Sequence, residues 1–212
     1  MAVERKGLFI TGTDTGVGKT FVAAGLARCL RDRGFAPGVL KPVETGCALR
    51  GGKRIPRDGS FLKLMAGATE PIEEIVPYRL SAPLAPQVAA ERDGISIQTR
   101  RLQSAFRAIS SRHPFTLVEG AGGILVPVTR STTMVDLMKQ FKLPVLLVSR
   151  IGLGTLNHTL LTLFYLALHA LVAAGTPHRV QVDLYLLVFS AHPLAWLAGR
   201  LFGRSTPEGE AE

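Results

Sequence analysis

One stretch near the N-terminus leaves this 212-residue chain few folds to adopt. The apolar run Gly7-Leu8-Phe9-Ile10-Thr11 passes without a break into Gly12-Thr13-Asp14-Thr15-Gly16-Val17-Gly18-Lys19-Thr20. Beyond it Val22, Leu26 and Leu30 recur every four residues, so they share one face of a helix from about Lys19 to Arg33, with Gly34 as its C-terminal stop. A strand, a glycine turn and then Lys-Thr opening a helix is the setting of a phosphate-binding loop. Gly16 and Gly18 let backbone N–H groups come close to phosphate oxygens, and the helix N-terminus adds a favourable dipole. Lys19 can reach the β- and γ-phosphates, and the Thr20 hydroxyl can ligate Mg²⁺. The spacing departs from the general pattern: five residues, not four, separate Gly12 from Gly18-Lys19, and Thr13 stands where the first glycine would fall.

The remaining chain continues in the same alternation. A second strand is expected near Val39-Leu40, and further ones at Phe115–Val118 and Pro144–Val148, the latter two following helix-like stretches at Arg100–Ser111 and Thr132–Phe141. Continuous apolar strands alternating with helices predict an α/β fold, a parallel sheet with helices on both faces. In such a sheet the chemistry sits at the carboxyl ends of the strands. Two more strings fall at strand ends. Lys41-Pro42-Val43-Glu44-Thr45-Gly46 places Lys41 over the phosphate loop, with Thr45 available to a polar substrate. Glu119-Gly120-Ala121-Gly122-Gly123 joins a carboxylate suited to Mg²⁺ with a turn that a ligand can approach closely.

Together with Gly152-Leu153-Gly154-Thr155-Leu156-Asn157-His158, these strings resemble, in order, the signatures of ATP-dependent dethiobiotin synthetases, enzymes of biotin biosynthesis. The five-residue spacing of the phosphate loop is the form that family uses. The match runs from about Leu8 to Leu163, roughly three quarters of the chain. The resemblance implies a single P-loop synthetase domain over residues 1–204 that closes a ureido ring: 7,8-diaminononanoate, CO₂ and ATP give dethiobiotin, ADP and phosphate. It implies that Lys19 and Lys41 supply catalytic positive charge, and that Thr20, Asp58 (in Pro56-Arg57-Asp58-Gly59-Ser60) and Glu119 hold Mg²⁺. It also implies a homodimer, with Thr45 contacting substrate and Gly154, Thr155 and Asn157 meeting the substrate carboxylate from the partner subunit. The same resemblance assigns nucleotide contacts to residues 13–20 and 119–122; His158, with no metal-ligand spacing near it, reads as structural.

Rival readings exist within the nucleotide-binding class. A dimeric switch ATPase that partitions DNA or positions division machinery shares this fold, but it carries an extra lysine early in the loop, where Thr13 and Asp14 stand. An inactive nucleotide-binding relative is the other, because the family strings end after Leu163. No Asn follows Asn157, whereas the family expects an adenine-recognising Asn beyond a further strand; here strand-like Val182–Phe189 leads to Ser190-Ala191-His192-Pro193. Residues 164–212 therefore read as a divergent ending or as one created by a shifted reading frame.

Charge supports that division. Residues 1–163 hold 22 basic and 12 acidic side chains, and residues 164–212 hold 3 and 4, within an overall +9. The basic residues are scattered, without a basic helix bearing interleaved aromatics, so a nucleic-acid partner is not expected. At 47% hydrophobic and 19% charged the chain is no disordered protein. Cys29 and Cys47 lack metal-ligand spacing, and the N-terminus fits no secretory signal, which together imply a cytoplasmic, reducing setting. Ile151–Ala174 carries no formal charge over 24 positions. Its glycines, threonines and histidines favour a buried helix of a soluble protein over a membrane span.

Overall fold

The computed structural model describes residues 7–174 and 184–186. Strand β1 (Gly7–Gly12) leads through the phosphate loop into α1 (Lys19–Asp32), then β2 (Gly38–Leu40). A lobe of small elements follows: β3 (Val43–Glu44), the hairpin β4 (Ala48–Arg50) and β5 (Lys53–Ile55), α2 (Arg57–Ala66), α3 (Ile72–Ile75), β6 (Tyr78–Arg79) and α4 (Pro86–Arg92). The chain returns through α5 (Thr99–Arg112) to β7 (Thr116–Gly123), the short pair β8 (Pro127–Thr129) and β9 (Thr132–Thr133), α6 (Met134–Phe141), β10 (Val145–Val148), α7 (Thr155–Ala174) and β11 (Leu184–Leu186).

The central sheet is parallel throughout, in the order β11-β10-β1-β7-β2. The chain builds outward from β1 to β2, returns to β7, then crosses β1 to reach β10. This places the carboxyl ends of β1 and β7 where an open α/β sheet binds its ligand. Alternation along the strands divides the core. Phe9, Leu40, Val118 and Val145 face a cluster with α5, α6 and α7, whereas Ile10, Val39, Leu117 and Leu146 face α1, α2 and α3. Helices thus cover both faces, as the pattern predicts. Leu102, Phe106 and Ile109 align on α5 and bury fully. Phe106 stacks on Phe141 at 4.5 Å between ring centres. Full burial of such side chains contributes on the order of 1.5–3 kcal/mol each.

The structure changes two local expectations. On α1, Val22 is buried but Leu26 and Leu30 only edge the core; Ala23, Ala24 and Ala27 form the deepest surface, which lets the helix lie close to the sheet. Gly34 does close α1: its N–H and that of Phe35 return to Arg31 and Leu30 carbonyls. The helix expected at Thr132–Phe141 begins at Met134, because Thr132 and Thr133 pair as β9 and Thr133 then caps α6 reciprocally with Asp136.

The larger correction concerns α7, expected as a buried helix. Its Thr159, Thr162 and Leu166 are buried, but Leu156, Leu160, Phe164 and Leu168, spaced by four, are exposed, as are Ile151 and Leu153 before it. One side of the helix meets this chain's own core and the opposite apolar stripe meets nothing within the described residues. Among those residues no helix is long and apolar enough to cross a membrane. Of the atypical ending beyond α7, only Leu184–Leu186 is described, as the sheet's outer strand beside β10; Ser190–Pro193 and the expected frayed end lie outside the described residues.

Candidate active site

The phosphate loop forms because β1 ends under α1 and the backbone must reverse within six residues. Gly16 and Gly18 take φ values of 72° and 100°, in the left-handed region that side chains disfavour. A Cβ on Gly16 would meet no atom within 4 Å, so this turn faces open space, while Val17 anchors it from the buried side. Thr13 ties the loop to β10, its N–H donating to the Val148 carbonyl at 3.0 Å. Asp14 and Thr15 are exposed, and the Asp14 carboxylate accepts the Thr15 N–H.

Lys19 is only 7% exposed, and its Nζ donates to the Asp14 carbonyl at 2.6 Å. Burial, helped by the nearby Lys41 ammonium and opposed by Glu119, pushes its pKa down to about 8. A lysine poised in this way gains most from an anion placed beside it.

Lys41 leaves the end of β2 and reaches Glu119 on β7. Its Nζ lies 2.6 Å from Glu119 Oε1 and 2.8 Å from Asp58 Oδ2. Burial pulls its pKa down, but the carboxylates of Glu119 and Asp58 outweigh it and hold the ammonium above the ordinary lysine range. The Thr20 hydroxyl donates to the same Glu119 Oε1 at 2.6 Å. The second oxygen, Glu119 Oε2, is buried with no hydrogen-bond partner. An ionisable group 1% exposed, with one oxygen committed twice and the other bare, has the character of a ligand site.

Thr20, Asp58 and Glu119, expected as metal ligands, thus converge with Lys41 and Lys19, the two lysines expected to be catalytic. Behind them, Gly120–Gly123 pack close to β1 and the loop: a Cβ on Gly120 would lie 2.9 Å from Phe9 Cε1, and one on Gly122 3.5 Å from Thr15 Oγ1. The expected substrate contacts are not drawn in. Thr45 follows β3, and among the described residues no hydrogen bond joins Thr45, Gly154 or Asn157 to the phosphate loop. Gly154, Thr155 and Asn157 lie at the start of α7, where the Thr155 hydroxyl donates to the Arg150 carbonyl. His158 is exposed.

Sequence reasoning missed two residues. Ser149, buried at the end of β10, links Thr13 Oγ1 (3.4 Å) to Thr159 Oγ1 (3.3 Å) and so connects the loop to α7. Glu44, buried on β3, accepts N–H bonds from Asp58 at 3.0 Å and Gly59 at 2.9 Å. Burial raises its pKa against the pull of those amides and of Lys41. A sequence signal for Glu44 does exist: α2 starts behind Pro56, which has no side-chain acceptor, so its cap has to come from elsewhere.

A family model described as an AAA domain matches residues 6–176. The ATP-dependent dethiobiotin synthetase BioD of Aquifex aeolicus (strain VF5) is 47% identical over 158 residues, covering 74% of this chain and 69% of the relative. The enzyme of the same name from Anaeromyxobacter dehalogenans (strain 2CP-C) is 46% identical over 170 residues, covering 80% and 74%. Among solved structures, the kinase domain of Escherichia coli tyrosine kinase ETK aligns with a TM-score of 0.47 at 19% identity, covering 90% of this chain and 69% of that one.

Proposed function

Since this chain belongs to the family of ATP-dependent dethiobiotin synthetases, we propose that it closes the ureido ring of dethiobiotin from 7,8-diaminononanoate, CO₂ and ATP, releasing ADP and phosphate. The observation that carries the reading is the meeting of buried Lys41 and Glu119 with Thr20 and Asp58 beside a phosphate loop whose lysine is held at a lowered pKa.

In this reading CO₂ carboxylates the 7-amino group. A carbamate oxygen then attacks the γ-phosphorus as ADP leaves, and the 8-amine attacks the carbonyl carbon of the mixed anhydride as phosphate leaves. Such chemistry asks the protein for positioning and for fixed positive charge. The loop N–H groups and Lys19 receive the β- and γ-phosphates. Lys41, kept cationic by Glu119 and Asp58, neutralises the carbamate and the phosphoryl oxygens between the two reactants.

Mg²⁺ fits the donor set: Thr20 Oγ1, Asp58 and the bare Glu119 Oε2 are oxygens of the kind a hard cation takes. When bound there it would neutralise charge on the phosphate oxygens. We further propose a homodimer in which a second copy covers the exposed stripe of α7, bringing Gly154, Thr155 and Asn157 toward the partner's site. The unpaired Cys29 and Cys47 suit the reducing cytoplasm. Sequence identity to the synthetases favours this reading over a partitioning ATPase.

The test is ADP release by purified protein with Mg²⁺ and ATP. It should require the diamine and CO₂ together. ADP release indifferent to the diamine would overturn the proposal, and nucleotide binding without turnover would point to the inactive relative.

A further inference from the structure

Asp58 stands at the second position of α2, on a helix that begins with no side-chain cap of its own. Pro56 occupies the cap position and offers neither hydroxyl nor carboxylate. The first N–H groups of a helix need acceptors, and leaving them buried and unpaired is costly. Here a carboxylate fourteen residues upstream supplies them. Glu44 Oε1 accepts from the Asp58 N–H at 3.0 Å, and Glu44 Oε2 from the Gly59 N–H at 2.9 Å. The bidentate grip uses both oxygens and aligns a negative charge with the positive end of the helix.

Glu44 is itself fixed. Its carbonyl accepts the Leu80 N–H at 2.8 Å, and β3 pairs with β6 through Glu44 and Arg79. On the other side Gly59 leaves no slack: a Cβ there would fall 2.1 Å from Val76 Cγ2 and 3.4 Å from Glu44 Oε2. The start of α2 is therefore clamped between Val76 and Glu44. What the clamp sets is the place of the next side chain, the Asp58 carboxylate 2.8 Å from Lys41 Nζ. Asp58 needs such help because its side chain is 45% exposed, unlike its neighbours Lys41 and Glu119.

We propose that Glu44 is a positioning residue for the reaction, a remote cap that fixes the N-terminus of α2 and through it aims Asp58 at Lys41. The inference rests on the functional reading above for the role of Asp58, but its geometric half does not. Glu44 touches no reacting atom and acts only through the Asp58 and Gly59 backbone.

Glu44→Gln is the informative variant. It keeps size and one acceptor, and turns an NH₂ toward a backbone N–H, so one bond of the pair is lost. Amide hydrogen exchange should quicken at least tenfold at Asp58 and Gly59 and stay unchanged at Val118 and Leu146. In the ADP-release assay kcat should fall about tenfold, with the KM for ATP within twofold, because the phosphate loop is untouched. In an Asp58→Asn background the same substitution should cost less than a further twofold in kcat. Unchanged exchange at Asp58 and Gly59, or kcat losses that multiply in the double variant, would overturn the proposal. If the wild-type protein shows no diamine-dependent ADP release, the functional reading fails, and the exchange result alone decides whether Glu44 holds α2.

Discussion

Replacing Lys41 by methionine removes the ammonium that neutralises Glu119 while filling nearly the same space. The magnitude follows from burial. Lys41 is 4% exposed and Glu119 1%, with 2.6 Å between their charged atoms. Breaking such a pair from one side strands a charge in the interior, at a cost of about 3–5 kcal/mol. Asp58 adds little to this, since its half-exposed carboxylate returns to water once Lys41 is gone. The near-isosteric swap contributes only a small packing cost. With a urea m value of about 2 kcal/mol/M, the unfolding midpoint of Lys41→Met should drop by roughly 2 M. A second substitution, Glu119→Gln, removes the stranded charge but keeps an acceptor for the Thr20 hydroxyl, so most of the loss should return. Both proteins should lack ADP release, which separates the stability effect from the catalytic one. Equilibrium urea unfolding followed by circular dichroism measures both midpoints. A midpoint for Lys41→Met within about 0.3 M of wild type, or no recovery in the double variant, would refute the view that Glu119 is a buried charge compensated by Lys41.

Three further outcomes are expected. The Lys19 pKa lies at about 8, below its ordinary value of 10.5, so the ligand-free site loses this charge as pH rises through about 8, while bound phosphate restores it. ATP binding above pH 8 should weaken with pH and take up a proton, seen as a calorimetric enthalpy that varies with buffer ionisation; equal enthalpies across buffers at pH 8.5 would exclude this. Gly59→Ala forces a methyl group into Val76 and should destabilise the protein by about 1–3 kcal/mol in thermal melts, with kcat reduced; an unchanged melt would mean that the clamp on α2 is loose. In sedimentation velocity the wild type should be a dimer, and Phe164→Asp together with Leu160→Glu should give a monomer; an unaltered dimer would place the interface elsewhere.

The sheet and the phosphate loop were legible in the sequence because their causes are local. Short apolar runs specify strands, and Gly16 and Gly18 specify a turn that few other residues tolerate. Lys41 and Glu119 were legible as strand-end residues, since a parallel sheet brings all such ends to one edge. Asp58 had the weakest string, and its position depends on Glu44 across a fourteen-residue gap, a contact that no periodicity reports. Ser149 was missed for the same reason. Its value lies in touching Thr13 and Thr159 at once, and each of those contacts is set by how strands are ordered in space.

Helix α7 fails as a sequence reading in a more instructive way. Hydropathy over Ile151–Ala174 states that the segment must be covered, but not by what, and a single chain invites the answer that its own core covers it. In the structure the inward side carries the hydroxyls of Thr159 and Thr162, while Leu156, Leu160 and Phe164 look outward. Counted within one chain this amphipathicity is partly inverted: the inner side holds two hydroxyls beside Leu166, and most of the large apolar side chains lie outside. The inversion has a physical reason on the inner side, because Thr159 is the last link of the hydroxyl chain that begins at Thr13 in the phosphate loop. A leucine there would break that chain and leave Ser149 buried with fewer partners. The apolar stripe then has only the outer side left to occupy. A helix constrained by the nucleotide loop on one side and by hydropathy on the other is balanced only when a second apolar surface is brought to it, and the proposed dimer would supply that surface on the same element that ties to the phosphate loop.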